Sequence, residues 1–139
     1  MEFGIFLSSM LPPPHTGDRE RRMYEQELEL AVLAERAGFG YVWTSEHHFL
    51  TGYCHCSCPE LRLASIATRT TSIRLGHGIV DLQPQINHPI RVAERIATLD
   101  LISNGRVEFG SGRGSGHMEW DGFAGIREED TKEVWDEAL

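Results

Sequence analysis

The sequence predicts an α/β fold with a parallel sheet, and two observations point to it. Short runs rich in Val, Ile, Phe, Tyr and Leu alternate with segments whose apolar residues recur at helical spacing. The strand-like runs also begin at near-regular intervals, near residues 2, 41, 73 and 106, which lie 39, 32 and 33 residues apart. Strands that alternate with helices in this way form parallel sheets joined by right-handed crossovers.

The length then indicates how much of such a fold is present. An interval of about 35 residues repeated eight times gives roughly 280 residues, close to the ~250 typical of a closed (β/α)8 TIM barrel. The chain has 139 residues. We therefore expect one domain, residues 1–139, that is the N-terminal half of a barrel: its first four β-α units, truncated inside a helix. A doubly wound open sheet stays an alternative, although Pro12, Pro13 and Pro14 stand where that fold carries a glycine-rich phosphate turn.

Each element has its own signal in the sequence. The strands are predicted at residues 2–7, 41–44, 73–76 and 107–109. The first helix carries its apolar face at the positions i, i+3, i+4 and i+7, which are Leu30, Leu33, Ala34 and Ala37. It ends before Gly38, because glycine is favoured just after the last turn of a helix.

The later helices have clearer boundaries. The second opens with a capping box from Ser57 to Glu60, with a proline in the first turn, and continues through Leu63, Ile66 and Ala67. The third begins near residues 88–89, carries three apolar residues on one face, and ends at an Asn-Gly turn; the face is Val92, Ile96 and Leu99. A fourth helix begins near Glu128.

Composition excludes several classes of partner. The formal net charge is −8, from 13 basic and 21 acidic residues, which argues against nucleic acid or an anionic membrane surface as the partner. No apolar run approaches the ~18 residues of a membrane span, and residues 1–4 lack the basic start of a signal peptide. Cys54, Cys56 and Cys58 are too few and too closely spaced for a disulfide framework. We therefore expect a cytoplasmic protein.

The loops that follow parallel strands carry the ligands in such folds, so residues 45–58 are a candidate site. Glu46, His47 and His48 follow the second strand directly. Imidazole titrates near neutrality, and a neighbouring glutamate can fix its tautomer, so this trio suits proton transfer. Because side chains alternate along an extended segment, Glu46 and His48 are expected to face one way and His47 the other. A pair of surface histidines is the alternative.

Two glycine-rich segments are further candidates. Residues 110–116 have glycine at every second position around Arg113, which suits an anion held by backbone N–H groups and a guanidinium, while a flexible connection is the alternative. The third strand runs into Gly76 and Gly78, which indicates close approach of the backbone to a flat ligand or simply a turn. The three cysteines, together with a histidine, would make an unusual zinc site, since their C-x-C-x-C spacing is not a typical one. We therefore predict no metal.

Taken in order, these motifs resemble the bacterial luciferase-like flavin monooxygenases. The matching segments are residues 1–6, 46–49, 73–76, 88–94, 99–100 and 103–114. The resemblance implies a (β/α)8 barrel of about twice this length that oxidises a small organic substrate with reduced FMN and O2 through a peroxyflavin. One branch of the family uses the deazaflavin F420, so an F420-dependent dehydrogenase is the alternative function. A flavin reductase or a second copy in a dimer is the implied protein partner.

The resemblance also assigns roles to particular residues. His47 matches a histidine assigned to proton transfer or to stabilising the flavin peroxide, and Glu46 matches the carboxylate beside it. Gly78 and Ile79 fall where the family has a non-proline cis peptide against the flavin ring. Arg113, with Gly114 next to it, matches an arginine that contacts the flavin phosphate.

Two expectations qualify these assignments. Gly112 stands where luciferase has a cysteine, so no thiol role transfers. Half a barrel also leaves two open sheet edges, so an inactive fragment that associates through those edges is a further alternative.

Overall fold

The structure is a computed structural model that describes residues 1–123 and 125–139. The elements are β1 (Gly4–Leu7), α1 (Gly17–Arg36), β2 (Tyr41–Thr44), α2 (Pro59–Ala67), β3 (Arg74–His77), β4 (Val80–Asp81), α3 (Pro89–Ser103), β5 (Val107–Glu108), β6 (Ser111–Gly112), α4 (His117–Gly122) and α5 (Thr131–Ala138). A 3₁₀ turn at Glu128–Asp130 precedes α5. Among the helices described, none combines the length and the apolar character that crossing a membrane requires.

Four strands form the main sheet in the order β1-β2-β3-β5, and all of them are parallel. The predicted alternation of strands and helices, with four β-α units, is therefore confirmed. The register aligns Leu7 with Thr44 and Thr44 with His77, so the carboxyl ends of β1, β2 and β3 lie side by side. The loops after these strands consequently emerge at one edge of the sheet.

The core lies between one face of the sheet and the helices α1, α2 and α3. Its buried members are Leu7, Ala31, Ala34, Val42, Leu63, Ile66, Ala67, Ile73, Leu75 and Leu99. Leu63, Ile66 and Ala67 on α2 and Val92 and Leu99 on α3 are buried, as the helical spacing predicts.

The predicted apolar face of α1 is wrong except at Ala34, which is buried as predicted. Leu30 and Leu33 are 46% and 58% exposed, whereas Ala31 and Ala34 are buried. The buried stripe also carries Glu27, which accepts hydrogen bonds from Ser9 and Arg62. A pattern that counts only apolar residues misplaces a helix face that combines small side chains with a paired carboxylate.

The start of α2 also differs from the prediction. The N-cap is Cys58, and its side chain makes no capping hydrogen bond. Pro59 therefore occupies the first helical position. Ser57, which the predicted capping box places at the N-cap, lies one residue before it. The helix α3 agrees with its prediction, since it begins after His88 and ends at Asn104, whose φ of 61° is left-handed.

The glycine-rich segment 110–116 contains the strand β6 and leads directly into α4, neither of which the sequence predicts. The strand β6 pairs in parallel with β4, through Val80 with Ser111 and Asp81 with Gly112. Strands of two residues and a helix of six are too short to show periodicity in a sequence. This pairing fixes the loop after β3 against the loop after β5.

Candidate active site

The loops after β2, β3 and β5 enclose a cavity of about 150 Å³. Its lining residues are Glu46, His47, Gly78, Ile79, Asp81, Gly112, Arg113, Gly114, Ser115 and Glu119. The six residues to which the resemblance assigns a place are among them, whereas His48 of the predicted proton-transfer trio is not. A larger cleft of about 570 Å³ lies between α3, β5 and α5. Among its described lining residues Asp100 is the one charged side chain, so the smaller cavity is the candidate site.

One wall of the cavity is the peptide between Gly78 and Ile79. This peptide is cis, as the resemblance implies. A Cβ at Gly78 would lie 3.0 Å from the Phe6 ring, and a Cβ at Gly112 would lie 2.9 Å from Cδ1 of Ile79. Both glycines are therefore positions of close packing, and Ile79 presents an apolar side chain to the cavity.

His47 is oriented by a carboxylate from α4. Its Nδ1 lies 3.1 Å from Oε1 of Glu119, and the same oxygen accepts the backbone N–H of His48 at 2.9 Å. Glu119 is 2% exposed. Since a carboxylate accepts hydrogen bonds, Nδ1 carries the proton and Nε2 is the nitrogen able to accept one. The glutamate that orients His47 is thus Glu119 and not the neighbouring Glu46.

Glu46 holds the other histidine. Its Oε1 accepts from Nε2 of His48 at 2.9 Å and from Nδ2 of Asn87 at 2.7 Å, and its Oε2 accepts the backbone N–H of Asp81 at 3.0 Å. The hydrogen bond to Glu46 raises the pKa of His48. Glu46 and His48 are thus hydrogen-bonded to each other, while Glu46 and His47 both line the cavity.

Asp81 contributes a buried carboxyl group to the floor of the cavity. Its Oδ1 accepts the backbone N–H of Gln83 at 3.3 Å, while Oδ2 has no hydrogen-bond partner among the described residues. Burial, reinforced by the nearby Glu46 carboxylate, raises the pKa of Asp81 to about 7. Buried polar groups without partners are uncommon, and they concentrate where ligands bind.

Arg113 lies at the mouth of the same cavity and is exposed. Its Nη1 donates to Oγ1 of Thr131 at 3.2 Å, and its carbonyl oxygen accepts from Nε2 of Gln83 at 3.3 Å. The backbone of Arg113 is thereby fixed, while its guanidinium keeps further N–H donors for an anion.

Comparison with known proteins identifies the family. The family model described as luciferase-like monooxygenase matches residues 1–139. The chain belongs to this family. A luciferase-like relative, the 4-hydroxyprotoasukamycin monooxygenase of Streptomyces nodosus subsp. asukaensis, is 37% identical over 139 residues, which are 100% of this chain and 36% of the relative.

Two solved structures extend the comparison. The oxygenating constituent of 3,6-diketocamphane monooxygenase from Pseudomonas putida, in complex with FMN, matches with a TM-score of 0.86 at 26% identity; the match covers 100% of this chain and 37% of the other. An F420-dependent secondary alcohol dehydrogenase matches with a TM-score of 0.76 at 22% identity, over 99% of this chain and 39% of the other, which shows the shared fold alone. This luciferase-like chain thus spans little more than a third of the length of the proteins it matches.

The residues of the cavity fit part of the flavin that the family implies. Gly78 and Ile79 offer a flat apolar surface to a ring, and Arg113 offers a guanidinium to a phosphate. The cavity of about 150 Å³ is smaller than the roughly 300–1,000 Å³ of a typical ligand site. By size and chemistry, these residues suit a portion of such a cofactor.

The cysteines contribute no metal cluster to this site. Cys54, Cys56 and Cys58 are free thiols, the first two buried and the third exposed. Within residues 1–123 and 125–139, no group of three or more His, Cys, Asp or Glu side chains is arranged to hold a metal ion.

Four polar residues of the site escaped the sequence analysis: Asp81, Asn87, Glu119 and Trp120. Asp81 was visible as a charged residue in a strand of otherwise apolar character, which is a signal of function at a strand end. Glu119 and Trp120 gave no such signal, because they lie on a helix too short to be predicted.

Proposed function

We propose that this chain, as a single domain over residues 1–139, is the flavin-contacting half of a flavin-dependent monooxygenase barrel. The observation that carries the proposal is the convergence of His47, Ile79 and Arg113 on one cavity, from three different loops. A proton-transfer group, an apolar platform and a cation for phosphate are the parts that such a cofactor site requires. The cofactor we propose is FMN in its reduced form.

Reduced flavin, when bound, supplies the electrons with which O2 is activated. The residues of this chain bind, orient and exchange protons around it. Arg113 binds the phosphate through its guanidinium, and the Gly78 and Ile79 peptide supports the ring. His47 accepts or delivers a proton at Nε2, while Glu119 holds the ring of His47 through Nδ1.

The remaining features of the proposal concern partners. The substrate is a small organic molecule, and O2 is the co-substrate. A flavin reductase supplies the reduced cofactor, because a relative that is 36% identical over 102 residues is named the oxygenase component of a flavin-dependent trigonelline monooxygenase. The free thiols at Cys54, Cys56 and Cys58 suit the reducing environment of the cytoplasm.

A binding titration tests the flavin site and separates the two candidate cofactors. The chain is titrated with FMN and, in parallel, with F420, and bound cofactor is followed by fluorescence. We expect FMN to bind at one site per chain, and Arg113→Gln to weaken it about tenfold, as expected for the loss of a charge-assisted hydrogen bond. Arg22→Gln, an exposed arginine on α1, is the matched control and should bind normally.

Each other outcome has a distinct meaning. Binding of F420 in place of FMN would replace the monooxygenase with an F420-dependent dehydrogenase. Binding of neither cofactor, together with association on size exclusion, would favour the inactive half-barrel.

The role of His47 is tested by His47→Gln. We expect this variant to bind FMN like the wild type. Its FMN-dependent oxidation of substrate should be about a hundredfold slower, which is the usual contribution of a general acid-base group. Glu119→Gln should give a smaller loss, because the ring of His47 keeps its contacts but loses the charged partner. Equal activity of His47→Gln and the wild type would remove this residue from the mechanism.

A further inference from the structure

A chain of hydrogen bonds runs from the helices α2 and α3 to the wall of the cavity, and the proposed function does not use it. Oε1 of Glu60, on α2, lies 3.0 Å from Nη1 of Arg95, on α3. Nη2 of Arg95 donates to Oδ1 of Asn87 at 2.6 Å, and Nδ2 of Asn87 donates to Oε1 of Glu46 at 2.7 Å. Glu46 lines the cavity. Asn87 therefore contacts the site through a residue that lines it.

We propose that Asn87, held in one orientation by Arg95, is a positioning residue that fixes the carboxylate of Glu46 in the wall of the cavity. The proposal rests on the proposed function for the identity of the ligand, since Glu46 borders the space assigned to the flavin. The position of the Glu46 carboxylate itself can be tested without a ligand. Neither a sequence motif nor the family resemblance gives Asn87 or Arg95 a role.

The partners of the Asn87 amide determine which way it points. A guanidinium only donates hydrogen bonds, so Arg95 requires the amide oxygen to face it. An ionised carboxylate only accepts them, so Glu46 requires the amide nitrogen. The same nitrogen donates to the carbonyl oxygen of Asp81 at 3.0 Å. Reversing the amide would set donor against donor and acceptor against acceptor, so Arg95 holds Asn87 with its N–H groups towards Glu46.

Two donors then fix the plane of the Glu46 carboxylate. Asn87 donates to Oε1, while the backbone N–H of Asp81 donates to Oε2 at 3.0 Å. Because the donors engage different oxygens, the carboxylate cannot rotate about its bond to Cγ without losing one. This orientation keeps Oε1 2.9 Å from Nε2 of His48. Glu46 and Asn87 are 6% and 8% exposed, so little water is at hand to replace a lost donor.

The ionisation of His48 reports the position of Glu46. The hydrogen bond to Glu46 raises the pKa of His48, and the charges of Glu46, Glu119 and Asp81 act in the same direction, against burial. We expect Glu46→Gln to lower the pKa of His48. Asn87→Leu has a similar volume and no donor, so the freed carboxylate turns away from Nε2 and the pKa of His48 should fall towards its value in Glu46→Gln. NMR titration of the imidazole Cε1–H signal, assigned by its absence in His48→Gln, measures the pKa in each variant.

Two substitutions of Arg95 test the orientation of the amide while Asn87 stays in place. Arg95→Met removes the donor to Oδ1, so the amide can turn, and the pKa of His48 should fall by less than in Asn87→Leu. The loss of a nearby cation alone would raise this pKa, so a fall reports the amide. Arg95→Lys keeps a donor and should restore the wild-type pKa. Arg91→Met, a matched change of an exposed arginine on the same helix, should have no effect.

Flavin binding tests whether the position of Glu46 serves the site. FMN and riboflavin, which lacks the phosphate, are titrated in parallel and followed by fluorescence. We expect Asn87→Leu to weaken both flavins about fivefold, as for the loss of one hydrogen bond, because Glu46 lines the same cavity as the Gly78 and Ile79 peptide assigned to the ring. Gln85→Leu, which changes an exposed amide two residues before Asn87, is the matched control and should bind both flavins normally.

Circular dichroism and urea denaturation establish that each variant is folded, and the two Arg95 variants test the proposal if Asn87→Leu does not fold. If Asn87→Leu is folded and His48 keeps its wild-type pKa, Glu46 is positioned without Asn87 and the proposal is wrong. If Arg95→Met and Arg95→Lys give the same pKa of His48, the guanidinium does not orient the amide. Unchanged affinity of Asn87→Leu for both flavins would overturn the link to the flavin site. Failure of the wild type to bind either flavin would instead remove the proposed function, while the titration of His48 still decides the role of Asn87.

Discussion

The two ends of the parallel sheet differ in how completely their polar groups are hydrogen-bonded. At the amino-terminal end, Arg106 and Glu35 are surrounded by hydrogen-bond partners. At the carboxyl end, Asp81 and Trp120 each have a buried polar atom that finds no hydrogen-bond partner within residues 1–123 and 125–139. In barrels of this type the amino-terminal face serves stability and the carboxyl face serves ligands. The difference in hydrogen bonding expresses that division in this chain.

At the amino-terminal end of the sheet, the donors of Arg106 have hydrogen-bond acceptors. Arg106 donates to the carbonyl oxygens of Ser103, Ala67 and Ile73 and to the hydroxyl of Thr70. These bonds tie the ends of α2 and α3 to the start of β3. A buried guanidinium is tolerated here because its donors meet acceptors that would otherwise be unpaired.

The carboxyl end keeps its titratable groups in unusual protonation states. Burial raises the pKa of Asp81 to about 7 and lowers that of His77, at the end of β3, to about 4. Both groups are then neutral in mildly acidic solution. A site that holds neutral donors inside a protein gives up stability in exchange for readiness to bind.

The largest loss of stability is expected for Arg106→Ala, at the amino-terminal end of the sheet. This change leaves buried carbonyl oxygens at Ala67, Ile73 and Ser103 without their donor, so we expect a loss of about 3–5 kcal/mol in the free energy of unfolding. Urea denaturation followed by circular dichroism measures it. Arg22→Ala, on an exposed surface of α1, should change stability by less than about 0.5 kcal/mol. Similar losses in both variants would mean that the Arg106 network is not a structural element.

The opposite sign is expected for Asp81→Asn. The folded state holds the proton of Asp81 up to a pKa of about 7, above the ordinary 3.8, so stability is lost as the pH rises between these values. At pH 8 the wild type carries a buried charge that the variant lacks. We expect the variant to be more stable at pH 8, on the order of 2 kcal/mol, with little difference at pH 4.

Urea denaturation at pH 4 and pH 8 measures this effect, with Glu29→Gln as the control for the loss of one carboxylate. Destabilisation by Asp81→Asn at pH 8 would show that the carboxylate stabilises the fold, and the contrast between the two ends of the sheet would disappear.

A smaller effect is expected for Glu35→Gln. Burial alone would raise the pKa of Glu35, but the backbone N–H groups of Ile73, Ser72 and Thr71 lower it to about 2, from an ordinary 4.5. The carboxylate therefore stabilises the fold above pH 4.5, and that contribution disappears as the pH falls through about 2. Since Glu35 is largely solvated, we expect the variant to lose about 1 kcal/mol at pH 7.

Thermal unfolding at pH 7 and at steps down to pH 2 checks the sign as well as the size. The gap between wild type and Glu35→Gln should narrow on acidification. A gap that stays constant would assign the loss to packing and not to the charge.

The sequence predicted those parts of the molecule that depend on local pattern. The main strands and the long helices were predicted from periodicity, His47 and Arg113 were singled out from short motifs, and Ile79 was assigned by the family resemblance. The tertiary partners were not found. Glu119 lies 72 residues from His47, and Glu35 lies 38 residues from Ile73, so nothing in the local sequence connects them.

The errors have a related cause. The pattern of α1 favoured Leu30 and Leu33, because a hydrophobic periodicity cannot show that Glu27 is paired and faces inward. On α2 and α3 the buried apolar residues were placed correctly, although α2 also buries Arg62 and α3 also buries Ser103, which the pattern did not indicate. The sequence is thus informative where burial is apolar and silent where burial depends on a distant ionic partner.

The smallest change in the free energy of unfolding is expected for Ser57, a polar residue at the carboxyl end of the sheet. Ser57 was predicted to cap α2, but the N-cap is Cys58, whose side chain makes no capping hydrogen bond. A true capping serine is worth about 1 kcal/mol. We therefore expect Ser57→Ala to change the free energy of unfolding by less than about 0.5 kcal/mol in urea denaturation. A loss near 1 kcal/mol would mean that Ser57 caps the helix in solution. Polar groups at the carboxyl end of the sheet would then also stabilise the fold.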